Sequence, residues 1–218
     1  MLIAKDICRS YNQAPIIQHL SLSIYPGEMV AIIGASGAGK TTLLYLLSTL
    51  DQPDSGSIVC DGIDLTRLKG DGLAQFRNKK IGFVFQFHNL LPEFTLFENV
   101  CLPGYLGNFP KKEVEKKADE LLSLLGVSSL KNHFPADASG GELQRIAVAR
   151  ALINNPFIIF ADEPSGSLDA ENATRLHDLF FELTNSLKQT FVVVTHNPAL
   201  TTRADRVLLL KEGIIQPA

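Results

Sequence analysis

Apolar residues along this chain fall into two kinds of run. EMVAIIG (28–34), KIGFVFQ (80–86), FIIFADE (157–163), FVVVTHN (191–197) and RVLLL (206–210) are short and continuous. Strands buried on both faces read this way. IIQHLSLSIY (16–25) alternates in part, as a half-exposed strand does, and KTTLLYLLSTL (40–50) reads as a helix. Strands separated by helices predict an α/β core with a mainly parallel sheet.

The middle of the chain breaks this rhythm. From Phe87 to Ala151 little strand pattern is visible. In PKKEVEKKADELLSLLG (110–126), Val114, Ala118, Leu121, Leu122 and Leu125 share one helical face. Pro110 suits a first helical position and Gly126 a C-terminal cap. The expected organisation is one domain over 1–218, with 1–86 and 152–218 forming the core and 87–151 an inserted helical subdomain. No repeat or low-complexity tract interrupts it, and no appended regulatory domain is expected.

Composition narrows the function classes. Of the 218 residues 45% are hydrophobic, enough for a large core, and the net charge of −3 gives no electrostatic case for nucleic acid. The lysine pairs at 79–80, 111–112 and 116–117 are scattered and read as solvated surface. MLIAKDICRS carries charges where a signal peptide needs an apolar core. No apolar run approaches the ~18 residues of a membrane span, so direct membrane insertion is not expected. Three cysteines, Cys8, Cys60 and Cys101, show no metal-ligand spacing. A reducing, cytoplasmic setting is expected, with any membrane role reached through a partner.

The sharpest chemical signal is GASGAGKT, comprising Gly34, Ala35, Ser36, Gly37, Ala38, Gly39, Lys40 and Thr41, followed by Thr42. It fits G-x-x-x-x-G-K-[ST] and sits between a strand and a helix. Glycines let backbone N–H groups approach phosphate oxygens, and the helix presents its positive end to the same anion. Lys40 supplies charge for β- and γ-phosphates, and the Thr41 hydroxyl is a Mg²⁺ ligand. FADEP places Asp162 and Glu163 at a strand end, where parallel sheets bind ligands. Asp162 suits the metal shell and Glu163 the activation of water; alternatively both cap a following helix. Gln86 and His196 end two further strands. Gln86 could ligate Mg²⁺ or the water, and His196 could reach the γ-phosphate or simply occupy a turn. Tyr11 could stack on adenine or merely pack.

ASGGELQR (138–145) holds a second glycine pair. Ser139 and Glu142 satisfy a capping box, which leaves Gly140 and Gly141 unexplained. Glycine in a first helical turn is unfavourable by about 1 kcal/mol against alanine, so close approach to a second phosphate is one explanation.

GASGAGKT, Gln86, SGGELQR, FADEP, SGSLD (165–169) and VVTHN, in this order, resemble the nucleotide-binding subunit of an ABC transporter along nearly the whole chain. The resemblance implies a P-loop NTPase core with a mainly parallel sheet, an antiparallel β subdomain and an inserted helical subdomain. It implies an ATPase using ATP and Mg²⁺. A second copy packs head to tail, each nucleotide lying between one phosphate loop and the opposite signature, and integral membrane subunits are the further partners. Ser139, Gly140 and Gly141 would then contact the partner's nucleotide. Glu163 would be the general base, Gln86 the sensor of γ-phosphate and Mg²⁺, and His196 the switch. Asp169 would lie across the dimer interface and Tyr11 would stack on adenine. The chain departs from the common pattern at Ala138, Ala38, Thr41, Ser165 and Ser167. FQFHNLLPEFTLFENV (85–100) is similar to the ATPases of lipoprotein-releasing systems, the LolD type, with macrolide-export and FtsE-type ATPases sharing part of it. A peripheral position on the cytoplasmic face of the inner membrane follows. Soluble ABC ATPases of translation or DNA repair, usually double cassettes or coiled-coil carriers, fit less well, as do kinases and GTPases that share only the phosphate loop.

Overall fold

The structure, a computed structural model, describes residues 1–217; Ala218, the last residue of the expected domain, lies outside them. In chain order the first elements are β1 (Leu2–Tyr11), β2 (Ala14–Ile24), β3 (Met29–Ile33), α1 (Lys40–Leu47), β4 (Ser55–Cys60), β5 (Ile63–Asp64), α2 (Gly70–Lys80) and β6 (Ile81–Phe85). Then come α3 (Leu96–Leu106), α4 (Lys111–Leu124), α5 (Gly140–Leu152), β7 (Ile158–Asp162), α6 (Ala170–Leu187), β8 (Thr190–Val194), α7 (Pro198–Thr201), β9 (Arg206–Lys211) and β10 (Ile214–Pro217).

The main sheet runs β10-β9-β3-β8-β7-β6, parallel throughout except for β10 at its edge. Side-chain alternation divides its strands between two cores. Met29, Ala31, Ile159, Ala161, Phe191 and Val193 face α3, α4, α5 and α6. Val30, Ile32, Ile158, Phe160, Val192 and Val194 face α1 and the antiparallel strands. Burying each Val, Leu, Ile or Phe contributes about 1.5–3 kcal/mol. A sheet covered on both faces explains why its strands lack polar alternation.

The antiparallel sheet implied by the resemblance has the order β2-β1-β4-β5. Hydrophobic pattern signals only β2 clearly. β1 is broken by register shifts around Asp6, whose φ of +49° lies in the left-handed region. A hydrogen bond from Gln18 N–H to Gly213 O, 3.0 Å, ties this sheet to β10.

Between 87 and 151 the chain holds α3, α4 and all of α5 except Leu152, and no strand among the described residues. The face read for α4 is buried at Val114, Ala118, Leu121, Leu122 and Leu125. Gly126, φ +67°, follows the helix as a left-handed terminator. Pro110 stands one position earlier than expected, at the N-cap, its ψ of 127° being extended rather than helical. α3 opens on a capping box: Glu98 N–H donates to Thr95 Oγ1 at 3.2 Å, and Thr95 N–H to Glu98 Oε2 at 2.8 Å.

One buried side chain shapes the segment leading into α3. Asn99, 1% exposed, accepts from Leu91 N–H at 2.8 Å and donates to the carbonyls of Leu91, Phe94 and Thr95 at 3.0–3.1 Å. Pro92 prevents a helix there, and Asn99 supplies the bonds a helix would have made. Asn99→Ala should destabilise the fold by at least about 2 kcal/mol, because more than one buried backbone group loses its partner at ~1–3 kcal/mol each. Urea unfolding measures it.

Candidate functional site

β3 delivers the chain to the carboxyl edge of the sheet, and Gly34–Gly39 cross that edge before α1 begins. The crossing needs left-handed backbone: φ is +77° at Gly37 and +94° at Gly39, the N-cap of α1. A side chain at either position would be strained. Ala38 N–H closes a turn on Ala35 O at 3.2 Å. The unpaired N–H groups of the first turn of α1 face the loop, an anion-binding arrangement. Lys40 folds back over it, with Nζ donating to Gly34 O at 2.9 Å and Ala35 O at 3.0 Å.

β7 delivers the acids to the same edge. Asp162 Oδ1 accepts from Thr41 Oγ1 at 3.3 Å, which joins the phosphate loop to the strand end. Burial raises the Asp162 carboxyl above the usual range, and the Glu163 charge adds to this; the Thr41 hydroxyl and Lys40 oppose it. Glu163 takes φ +44°, a left-handed backbone for a residue with a side chain. Strain of this kind is on the order of 1–3 kcal/mol and gathers at functional sites. Its N–H donates to Val194 O at 2.9 Å, and its Oε1 lies 2.9 Å from Nδ1 of His196, just beyond β8.

These groups line an open cleft of about 310 Å³, formed by Ile16, Ser36, Gly37, Gly39, Lys40, Thr41, Thr42, Asp162, Glu163 and Val194. Thr41 and Asp162 offer hard oxygens at one point. Mg²⁺ keeps waters and substrate phosphate oxygens as most of its ligands, so two protein oxygens suffice. Among the described residues no cluster of three or more His, Cys, Asp or Glu could cage a metal alone. The residues therefore fit a phosphate-bridged Mg²⁺.

Gln86 follows β6 directly and, like His196, is not among the lining residues; its side chain lies against Gly166 and its carbonyl accepts from Ser167 Oγ at 3.0 Å. Tyr11 is not among the lining residues. Its hydroxyl donates to Asp51 Oδ2 at 2.5 Å, and the Arg9 guanidinium sits 4.8 Å from the ring centre, leaving the ring 41% exposed.

Ser139, Gly140 and Gly141 also lie outside the cleft lining. The capping box forms, with Ser139 N–H and Oγ both donating to Glu142 Oε2 at 2.8 and 2.6 Å. These bonds hold Glu142 below the usual carboxylate range. Gly141 has a reason within its own chain: a Cβ there would meet Asn172 Oδ1 at 2.4 Å. Asn172 is itself held by Asp169, the N-cap of α6, whose carboxylate accepts from Asn172 N–H at 2.9 Å and from Nδ2 at 2.7 Å. Asp169 and the signature are thus packed together.

Other polar residues of the site carry weaker sequence signals. On α5, Gln144 Nε2 donates to Phe85 O at 3.1 Å while its buried Oε1 finds no partner. Arg150, pulled down to about 10 by burial, donates to the carbonyls of His88 and Asn89 at 2.8 and 2.6 Å. The helix that begins with the signature therefore grips the backbone on both sides of Gln86. Helical spacing from Gly141 through Gln144 to Val148 places Gln144 on the buried stripe. Ser167 lies in a loop, and Arg150, on α5, bonds the loop carbonyls of His88 and Asn89, so no periodicity marks either contact.

Residues 17–166 match the family model described as ABC transporter. The lipoprotein-releasing system ATP-binding protein LolD of Bacteroides fragilis is 50% identical over 215 residues, covering 99% of this chain and 100% of that protein. LolD of Cytophaga hutchinsonii is 49% identical, with 99% and 98% covered. Among solved structures, the ATP-binding cassette MJ0796, a dimer in a post-hydrolysis state bound to ADP and Pi, matches with a TM-score of 0.89 and 36% identity, covering 100% of this chain and 98% of that one.

The raised Asp162 carboxyl has a consequence for stability. A folded-state value above the ordinary one means that the ionised form is disfavoured on folding. The penalty is absent below the ordinary carboxylate range, grows as pH rises from there, and is complete above the folded value. Asp162→Asn should raise the Tm of the ligand-free protein at pH 7, by about 2–4 °C per kcal/mol relieved in a domain of this size. The gain should fade in acid. Thermal melts of both proteins across pH measure it.

Proposed function

The chain belongs to the ABC transporter family, and on that premise we propose that it is the ATP-hydrolysing subunit of a lipoprotein-releasing complex, working as a head-to-tail homodimer at the cytoplasmic face of the inner membrane. One observation carries the dimer: the cleft gathers the phosphate loop, Asp162 and Glu163, while Ser139, Gly140 and Gly141 sit outside its lining, Gly141 against Asn172 of α6. A site divided in this way is completed by a second copy, whose signature covers the nucleotide that this cleft holds.

ATP is the substrate, and Thr41 and Asp162 would hold the Mg²⁺ ion, which would supply positive charge against the phosphates. Gly34, Ala35, Ser36, Gly37, Ala38 and Gly39 present backbone to the phosphates, with Thr42 beside them. Lys40 contributes the positive charge that the β- and γ-oxygens need. Glu163 takes the proton of the attacking water as the water's oxygen bonds to the γ-phosphorus and the bond to ADP breaks. His196, 2.9 Å from the same carboxylate, holds it in place. Gln86 reports occupancy to the segment that follows it. Tyr11 offers its exposed ring to adenine, and Asp169 faces the partner subunit.

The lipoprotein assignment rests on near full-length similarity to proteins that bear that name and on the 85–100 run. Among the described residues no helix is long and apolar enough to cross a membrane, so coupling passes through membrane subunits. Leu91 and Phe94 are 40% and 39% exposed, while Leu90 and Phe97 pack against the core. Nearby, Leu50, Arg77, Phe85, Asn89, Pro103 and Arg150 border a groove of about 330 Å³ between core and helical segment. Leu91 and Phe94 are not among the residues lining this groove, which reaches the same segment at Asn89; an amphipathic helix of a membrane subunit would dock on this side, its apolar face on Leu91 and Phe94.

Mixing two inactive variants tests the dimer. Lys40→Ala disables a chain's phosphate loop and Ser139→Arg its signature. Their heterodimer pairs one intact phosphate loop with one intact signature. Phosphate release should return on mixing, up to about half of wild type per dimer if the two sites act independently; verified heterodimers as inactive as the parents would refute the sandwich.

Leu91→Asp and Phe94→Asp should leave folding and ATP binding intact while removing the membrane subunits from a detergent pull-down. A desolvated, unpaired charge opposes the contact by several kcal/mol. Full copurification of well-folded variants would exclude this face.

A further inference from the structure

The buried side of α6 is apolar at Ala173, Leu176, Phe180, Phe181 and Leu183, yet His177 sits among them, 2% exposed. Its Nε2 lies 3.0 Å from Oγ of Ser165, itself 8% exposed. Burial pushes the His177 imidazole below the ordinary histidine value; the neighbouring Asp178 raises it and Arg203 lowers it further. The ring is neutral at neutral pH, one nitrogen engaged with the hydroxyl. An apolar residue would fill this position without the penalty of burying a polar ring. The pair therefore calls for an explanation beyond packing.

Its place in the chain supplies one. Ser165 is two residues past Glu163, in the middle of two overlapping turns. Gly166 N–H donates to Glu163 O at 2.9 Å, and Leu168 N–H to Ser165 O at 3.1 Å. Glu163 is held at φ +44°, a backbone state that persists only where its surroundings over-determine it. Before the turn, β8 holds Glu163 through Val194 O. After it, the first side-chain anchor is Ser165 on His177, followed by Ser167 on the Gln86 carbonyl.

We propose that His177 is a positioning residue for ATP hydrolysis: through its hydrogen bond to Ser165 it fixes the turn that aims the Glu163 carboxylate. The proposal rests on Glu163 acting as the base. It gives Ser165, a departure from the family's common threonine, a specific partner 12 residues on.

The test is steady-state Mg-ATPase kinetics of the purified protein as wild type, Ser165→Ala, His177→Phe, the double variant and His177→Gln, each with a thermal melt. The expected result is a kcat roughly tenfold lower in each single removal, within the ~10²-fold loss that a misplacement of about 1 Å produces. KM for ATP should stay within about twofold, because substrate binding does not use the pair. The double variant should be no slower than the slower single, since both remove one interaction. His177→Gln, whose amide can still meet the hydroxyl, should keep most of the activity. Wild-type kcat in Ser165→Ala, losses that multiply in the double variant, or a rise in KM as large as the fall in kcat would overturn the proposal. If His177→Phe melts early, Ser165→Ala against His177→Gln decides alone: slow against fast supports the pair, and equal rates refute it. Glu163→Gln is assayed beside them. Normal turnover in that variant removes the base itself, an outcome separate from any result at His177.

Discussion

The three central parallel strands, β3, β7 and β8, are covered on both faces and paired on both sides, so only their ends are open to water. Along β3, β7 and β8 the backbone groups pair within the sheet and the side chains divide between two apolar cores. A polar or charged side chain in mid-strand would face one core or the other without a partner. Chemistry is thereby confined to the strand ends. At the carboxyl edge β3 releases the phosphate loop, β6 releases Gln86, β7 releases Asp162 and Glu163, and β8 releases Thr195 and His196. Thr41 and Asp162, 121 residues apart, meet because sheet order, not sequence distance, sets their spacing.

What the sequence disclosed follows from the same constraint. Continuous apolar runs revealed the five parallel strands because double burial removes alternation, and the polar residues that ended those runs included Gln86, Asp162, Glu163 and His196. α2 was not legible: in GDGLAQFRNKK only Leu73 and Phe76 are buried, too few to show a period. β4 and β5 are short and antiparallel: β4 pairs with the distant β1, Leu2 opposite Cys60, and β5 is only two residues long. The run from Leu90 to Phe97 has no single period because it spans two structures: Asn99 holds the turn from Leu91 to Thr95 and α3 begins at Leu96, with Leu90 and Phe97 against the core and Leu91 and Phe94 exposed. His177 carries no motif that singles it out in the sequence; only the turn after Glu163 brings Ser165 to it.

The proposed site is held against its own instability. Asp162 is partly desolvated, Glu163 is in a disfavoured backbone region, and Gln144 buries an oxygen without a partner. Each lowers stability, the first two in the cleft and the third on α5, and each is next to a firm attachment: Thr41 on Asp162, Val194 O on Glu163 N–H, and Gln144 Nε2 on Phe85 O. Preorganisation of this kind is set by folding, before any nucleotide arrives.

The contact between Gly141 and Asn172 changes how genetic lesions in the signature should be read. Any side chain at 141 collides first with α6 of its own subunit. Asn172 would be driven off Asp169, and the residue proposed to face the neighbouring copy would lose its support. A loss of activity at 141 is therefore compatible with damage to either element, whereas a lesion at Gly140, where an added Cβ finds only Leu168 at 3.5 Å, reports more directly on what approaches the helix from outside. Adjacent glycines of one motif thus answer different questions, and a suppressor of a Gly141 lesion is to be sought at position 172.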